Sequence, residues 1–253
     1  MGLGVHRSPE ICTLQLGPPP GNILDREICL ELAETIRLHG NDPDLKAFLI
    51  TAGGKNFSYG ASIQEHLRSE VKGFLSAFHD VFEALMTCDV PAIAAVQGRC
   101  LGGAFELAAF CHFRIAEATA IFALPEIQLG VFPPFACAAF PELIGRTMTE
   151  RLVLSGREIT ADEALRCGAV TTVCGEGELD QAVATFLKDS ILPRSAAALR
   201  LATSALRAPL NARIRRRLPD LEHRYLEDLM STHDAEEGLQ AFLEKREPVW
   251  VNA

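Results

Sequence analysis

Three short stretches of this chain carry residue types that could do chemistry. In Gln97-Gly98-Arg99-Cys100-Leu101-Gly102-Gly103-Ala104-Phe105-Glu106-Leu107-Ala108, two glycines stand where a loop becomes a helix. The first N–H groups of a helix have no internal partner. They face off the helix end together with the positive end of its dipole, which suits an oxyanion. Glycine lets a ligand oxygen come close to the backbone. Glu106 follows Gly103 by three residues and falls on the same helical face. One segment therefore offers an N–H donor beside a carboxylate. A plainer reading stands next to it: a tight turn, followed by a glutamate that merely favours the helix dipole. The dipole favours the ionised carboxylate and burial the neutral acid, and the sequence leaves that contest open.

The second stretch is Phe57-Ser58-Tyr59-Gly60-Ala61-Ser62-Ile63. Its apolar lead-in ends in small residues, where Ala61 could offer a second free N–H. Gly-Ala-Ser is also an ordinary turn. The third is Pro125-Glu126, set between Leu124 and Ile127. Charged residues are seldom buried without a partner or a purpose, and the alternative is an exposed carboxylate at a helix start.

These residues need elements to hold them. Ala92 to Val96, an apolar run between Pro91 and Gly98, reads as a buried strand leading to the glycine pair. Ala104 to Cys111 reads as the helix behind it. Ile11 to Leu16 alternates as a strand does, and Gly17 to Asn22 breaks it. Asp25 suits the N-cap of a helix to about His39. A strand is expected over 45–51, a helix over 74–87, and short strands over 113–116 and 120–122. An Ala-rich helix should end at Leu143, and another should cover 149–154. Thr160-Ala161-Asp162-Glu163 is a capping box for a helix that stops at Gly168, before a strand over 169–173. From about Glu178 the chain reads as helical, punctuated by Pro193, Pro209 and Pro219, with Gly238 interrupting the last helix. Strands alternating with helices predict an α/β core over 1–190. The strandless remainder predicts a helical region over 191–253.

Composition bounds the function. The chain has 253 residues, 48% of them hydrophobic, enough for a sizeable core. Its net charge is −9, and its densest basic patch, Arg213 to Arg217, is soon countered by Asp220, Glu222, Glu227 and Asp228. That speaks against nucleic acid as a partner. The eight cysteines form no Cys-x-x-Cys. They read as buried thiols of a reducing cytoplasm, with neither a disulfide frame nor a metal site expected. No apolar run reaches membrane length, and the N-terminus lacks the plan of a signal peptide.

Taken in order, the motifs resemble the enoyl-CoA hydratase/isomerase (crotonase) superfamily over nearly the whole chain. They run from Asn22-Ile23-Leu24 through Phe57-x-x-Gly60-Ala61, Pro91 to Gly98, Leu101-Gly102-Gly103-x-x-Glu106 and Pro125-Glu126-Ile127-x-Leu129-Gly130. They end in Thr160-Ala161-x-Glu163-Ala164 and Glu237-Gly238-x-x-Ala241-Phe242. The resemblance implies a spiral of β-β-α repeats with a C-terminal helical region that packs trimers or hexamers. It implies an acyl-CoA thioester substrate and no separate cofactor. It carries the oxyanion-binding N–H groups onto Ala61 and Gly103, and the two acids of the hydratase branch onto Glu106 and Glu126. Ser58, Tyr59 and Ile63 would lie along the CoA-binding turn, with Lys55 and Arg26 as charge-based candidates for the CoA phosphates. The chemistry agrees: a thioester oxyanion needs donors fixed in advance, and adding water needs one proton taken and one delivered.

Two departures sharpen the expectation. Ser62 stands where most members have Asp, with His66 nearby, either solvated or lining the acyl pocket. Gly130-Val131-Phe132-Pro133-Pro134-Phe135 replaces a glycine-rich run. Aromatic walls at Phe132 and Phe135 would suit a flat cyclic acyl group. The combination of Tyr59-Gly60-Ala61-Ser62-Ile63-x-Glu65-His66 with Gly130-Val131-Phe132-x-Pro134 resembles the branch that hydrates cyclohexa-1,5-diene-1-carbonyl-CoA in anaerobic aromatic degradation. A short-chain enoyl-CoA hydratase, an enoyl-CoA isomerase and a non-catalytic acyl-CoA-binding oligomer remain as alternatives.

Overall fold

The computed structural model describes residues 2–253. The alternation at Ile11–Leu16 becomes strand β2, with Cys12, Leu14 and Leu16 turned into the core. It pairs antiparallel with β1, Gly4–Arg7, and parallel with β3, Ala47–Ala52. The apolar run Ala92–Val96 is β4, buried at every residue, as expected of a parallel strand covered on both faces. Phe113–Glu117 (β6) and Thr172–Cys174 (β9) follow it in the same sheet. The order is β1-β2-β3-β4-β6-β9, parallel throughout except at β1. A second sheet holds Arg99–Leu101 (β5), Ile121–Ala123 (β7) and Ile159–Thr160 (β8), in that order.

The expected α/β spiral is explicit in the pairing. Strands β4 and β5 lead into α3, Gly103–Phe110. Strands β6 and β7 lead through a 3-10 turn, Pro125–Leu129, into α4, Pro134–Leu143. Like strands of the two turns pair with each other, β4 with β6 and β5 with β7. Earlier turns carry the same plan in reduced form. Single bridges Leu24–Ala61 and Ser58–Cys100 stand where a second strand would be. They precede α1, Arg26–Gly40, and α2, Val71–Thr87. Asp25 caps α1 by accepting the Ile28 N–H at 2.9 Å, and the capping box at Thr160 and Glu163 opens α6, Ala161–Arg166.

The C-terminal part differs from the sequence expectation in detail. The strand expected over 169–173 lies at Thr172–Cys174, because Ala169 and Val170 are buried in the turn before it. Helix α5 covers Arg146–Ser155 and α7 Leu179–Phe186. Pro209 and Pro219 do not divide α8, which runs unbroken over Ala196–His223. Each proline forfeits one helical hydrogen bond, and burial of Thr203, Asn211, Ile214 and Leu218 along the helix offsets that loss. Gly238 does not interrupt α9, His233–Glu244. A Cβ there would stand 2.3 Å from the Leu129 carbonyl oxygen, so the glycine marks close packing against the 3-10 turn. The buried residues of this region, Ile214, Tyr225, Met230 and Leu239 among them, belong to the same apolar cluster as Leu14, Phe48 and Phe105. Among the described residues no helix is long and apolar enough to cross a membrane.

Candidate active site

The site is assembled where the ends of β5 and β7 meet the start of α3. The Gly102 N–H donates to the Ala123 carbonyl at 2.9 Å, tying the two strands. Gly102 takes φ +52°, and a Cβ there would lie 2.7 Å from Glu126 Oε1. The glycine is thus required twice, by its backbone and by the carboxylate packed against it. Gly103 opens α3, so its N–H has no partner four residues back.

The turn at Gly60-Ala61 is pressed onto this helix start. Gly60 has φ +93°, and a Cβ there would sit 2.5 Å from the Leu101 oxygen and 3.4 Å from the Gly103 nitrogen. Leu24 donates to the Gly60 oxygen at 2.9 Å and accepts from the Ser62 N–H at 3.3 Å. In an extended segment successive N–H groups alternate sides. The Ala61 N–H therefore points away from Leu24, and among the described residues it has no backbone partner. The structure brings Ala61, Gly103, Glu106 and Glu126 into one region.

Glu106 is 3% exposed, and one of its oxygens accepts the Ala136 N–H of α4 at 2.6 Å. Pro134 opens that helix without an N–H to offer, so Ala136 supplies the nearby donor. Glu126 sits on the 3-10 turn, with one oxygen against Gly102 and the other, Oε2, buried with no hydrogen-bond partner. Burial decides the contest that the sequence leaves open. It pushes Glu106 well above the carboxylate range; the Glu126 charge pushes the same way, and the Ala136 N–H opposes both. Burial also pushes Glu126 up, to about 7. Both shifts favour keeping a proton on the pair, and two carboxyls in unlike environments can serve as an acid and a base.

The other sequence candidates separate. Phe132 is half-buried, its ring 5.4 Å from that of Tyr225. Phe135 is fully buried, stacked at 3.5 Å on Phe82 and edge-on to Phe110 at 5.2 Å, so it braces α4 from within the core. Ser58 is buried, and its Oγ accepts the Gly60 N–H at 2.9 Å; its hydroxyl shapes the turn. Tyr59 is exposed and accepts from Asn56 at 3.2 Å, and Ile63 is half-buried against the core. His66 is not a solvated residue. Its Nδ1 meets the Ser62 oxygen at 2.7 Å, its ring lies 4.8 Å from Phe74, and burial lowers its pKa despite the Ser62 contact. Lys55 and Arg26 are exposed.

Two residues have a place in the site region that the sequence reading does not assign. Asn22 is fully buried and its Nδ2 reaches the carbonyls of Gly53, Asn56 and Phe57 at 2.8, 2.9 and 3.2 Å, pinning the loop before Ala61. Its sequence signal is its place at the head of the motif Asn22-Ile23-Leu24. Tyr225, 1% exposed, comes from the C-terminal region, and nothing local in the sequence marks it.

The family model for enoyl-CoA hydratase/isomerase matches residues 6–253. The chain belongs to this family. A curated relative, the cyclohexa-1,5-dienecarbonyl-CoA hydratase of Thauera aromatica, is 36% identical over 98% of this chain and 95% of its own. The crotonyl-CoA hydratase of Syntrophomonas wolfei is 32% identical over 98% and 97%. Among solved structures, an enoyl-CoA hydratase from Mycobacterium avium subsp. paratuberculosis superposes with a TM-score of 0.89 at 25% identity, covering 100% of this chain and 99% of that one. The family member described here is accordingly a lyase of the enoyl-CoA hydratase type.

Proposed function

We propose that the protein hydrates cyclohexa-1,5-diene-1-carbonyl-CoA to 6-hydroxycyclohex-1-ene-1-carbonyl-CoA. The observation that carries this reading is the meeting of a buried acid, Glu106, and a half-buried one, Glu126, whose Oε2 is withdrawn from water, beside the free N–H groups of Gly103 and Ala61. The thioester oxygen is held by the Ala61 and Gly103 N–H groups. The ionised carboxylate of the pair takes a proton from water while the water oxygen bonds to the ring carbon β to the thioester. The displaced π electrons move onto the thioester oxygen as a dienolate, which the two fixed N–H groups stabilise. The carboxylic acid of the pair then protonates the far end of the conjugated system. One water is added, and the pair ends with the proton it began with. Coenzyme A enters as part of the substrate, and no further cofactor is used.

The 36% likeness to the Thauera enzyme and the aromatic pair Phe132–Tyr225 support the cyclic acyl group. The 32% likeness to the Syntrophomonas enzyme supports a short-chain hydratase as the second reading. We assign Tyr59 and Ile63 to the CoA-binding turn, Lys55 and Arg26 to the phosphates, and the chain to a cytoplasmic trimer or hexamer. The test feeds purified protein crotonyl-CoA and the cyclic dienoyl-CoA and follows absorbance and mass. Faster water addition to the cyclic thioester is expected. A preference for crotonyl-CoA overturns the substrate assignment, and no water addition to either overturns the hydratase reading.

A further inference from the structure

Tyr225 lies on the helical turn Arg224–Asp228 that ends α8, far in sequence from every motif of the site. Its side chain is among the largest that are fully buried, and its hydroxyl is buried with no hydrogen-bond partner among the described residues. An unpartnered buried hydroxyl costs about 1–3 kcal/mol, so a residue that retains one invites a reason. Its ring packs edge-on against Phe132, which follows Glu126 by six residues. The second unpartnered buried oxygen in this region is Oε2 of Glu126. Burial, then the charges of Glu126 and Glu106, push the phenol above its ordinary value, so it stays an O–H donor throughout the neutral range. A tyrosine O–H can both accept and donate. Among the described residues it has a partner for neither.

We infer that Tyr225 is a substrate-contacting specificity residue, whose phenol O–H donates to the oxygen carried by the β-carbon of the acyl group. This rests on the hydratase reading, because that reaction alone puts an oxygen there. The Phe132 ring, packed edge-on against Tyr225, would take the flat acyl face, and the hydroxyl would find its partner once the water oxygen has arrived. A site built to hydrogen-bond a hydroxyl discriminates strongly against the analogue that lacks it, because the buried polar group is then left unpaired.

Tyrosine occurs twice in this chain, at the exposed Tyr59 and at Tyr225, so protein labelled with 13C at the tyrosine Cζ gives two lines. Tyr59→Phe assigns them. Two ligands are added to the parent: the 6-hydroxycyclohex-1-ene thioester of coenzyme A and cyclohexanecarbonyl-CoA, which lacks the hydroxyl. The Tyr225 line should move with the first and stay with the second. Calorimetry of Tyr225→Phe should show about tenfold weaker binding of the hydroxy thioester and less than a twofold change for the deoxy one, with no loss of melting temperature. The parent supplies the spectroscopic result even if the variant folds poorly. An unmoved Tyr225 line while both thioesters bind would overturn the Tyr225 assignment alone. Failure of the hydroxy thioester to bind would overturn the reading of the site and the assignment with it.

Discussion

Glu106 and Glu126 are the residues to which the proposed function gives the proton transfers, and burial raises the pKa of both. Replacing either with Gln keeps the shape and removes the proton transfer. Glu106→Gln and Glu126→Gln should each lower turnover by about 10²–10⁴-fold, read in steady-state assays, with no fall in melting temperature. Glu126→Gln with turnover retained would instead favour an isomerase, which needs one acid. Stability should depend on pH in a defined direction. Glu126 has an ordinary value of 4.5 and is held at about 7 in the folded protein. The folded state therefore binds this proton more tightly than the unfolded one. The contribution is fully present below pH 4.5 and is lost as pH rises through 7. Glu126→Gln has no such proton, so its melting temperature relative to the parent should rise between pH 5 and pH 8. An unchanged difference across that range would show that the carboxyl is not buried as described.

At the scale of elements, the start of α3 is held to shape by glycine, and the consequence can be separated from backbone strain. Gly102 and Gly145 both have positive φ, +52° and +82°. A Cβ at Gly102 meets the Glu126 carboxylate at 2.7 Å, whereas one at Gly145 meets nothing within 4 Å. Gly145→Ala should cost about 1 kcal/mol from the backbone alone and leave turnover unchanged. Gly102→Ala should cost more, about 1–3 kcal/mol, and lower turnover at least tenfold, because Glu126 must move. Thermal melting and kinetics on the two variants decide this. Equal effects on activity would sink the idea that Gly102 seats the carboxylate. The strands were legible in the sequence because alternation at Ile11–Leu16 and the continuous apolar run at Ala92–Val96 report burial directly, whereas the spiral was legible only through the resemblance that the ordered motifs carry. The C-terminal helices were less legible. Pro209 and Pro219 are local breakers, and tertiary packing of α8 overrides them.

The whole molecule joins its C-terminal region to the core through side chains that local sequence does not mark. Arg200 of α8 donates to the carbonyl of Gly40, the last residue of α1, at 2.8 Å, and Tyr225 and Met230 enter the central cluster. Large apolar side chains remain open to water on α8, Leu201 at 74% and Leu206 at 79% exposed. A trimer or hexamer would cover such surface. Light scattering on the purified protein should give three or six times the chain mass of 27.5 kDa, and a monomer at micromolar concentration would refute the assembly.

The sequence by itself determined the order of the motifs, the α/β alternation, the glycine pair before a helix and the two glutamates. Each of these is written in local residue type and spacing. It could not determine whether Glu106 is charged, because that depends on burial, on Glu126 and on an N–H of α4, all distant in the chain. It placed Phe135 in the acyl wall, and the fold set that ring against Phe82 and Phe110 in the core instead. Only the tertiary structure brought Tyr225 to Phe132. Such contacts arise from the closing of the spiral on its last helices, a long-range event with no periodic trace in the chain.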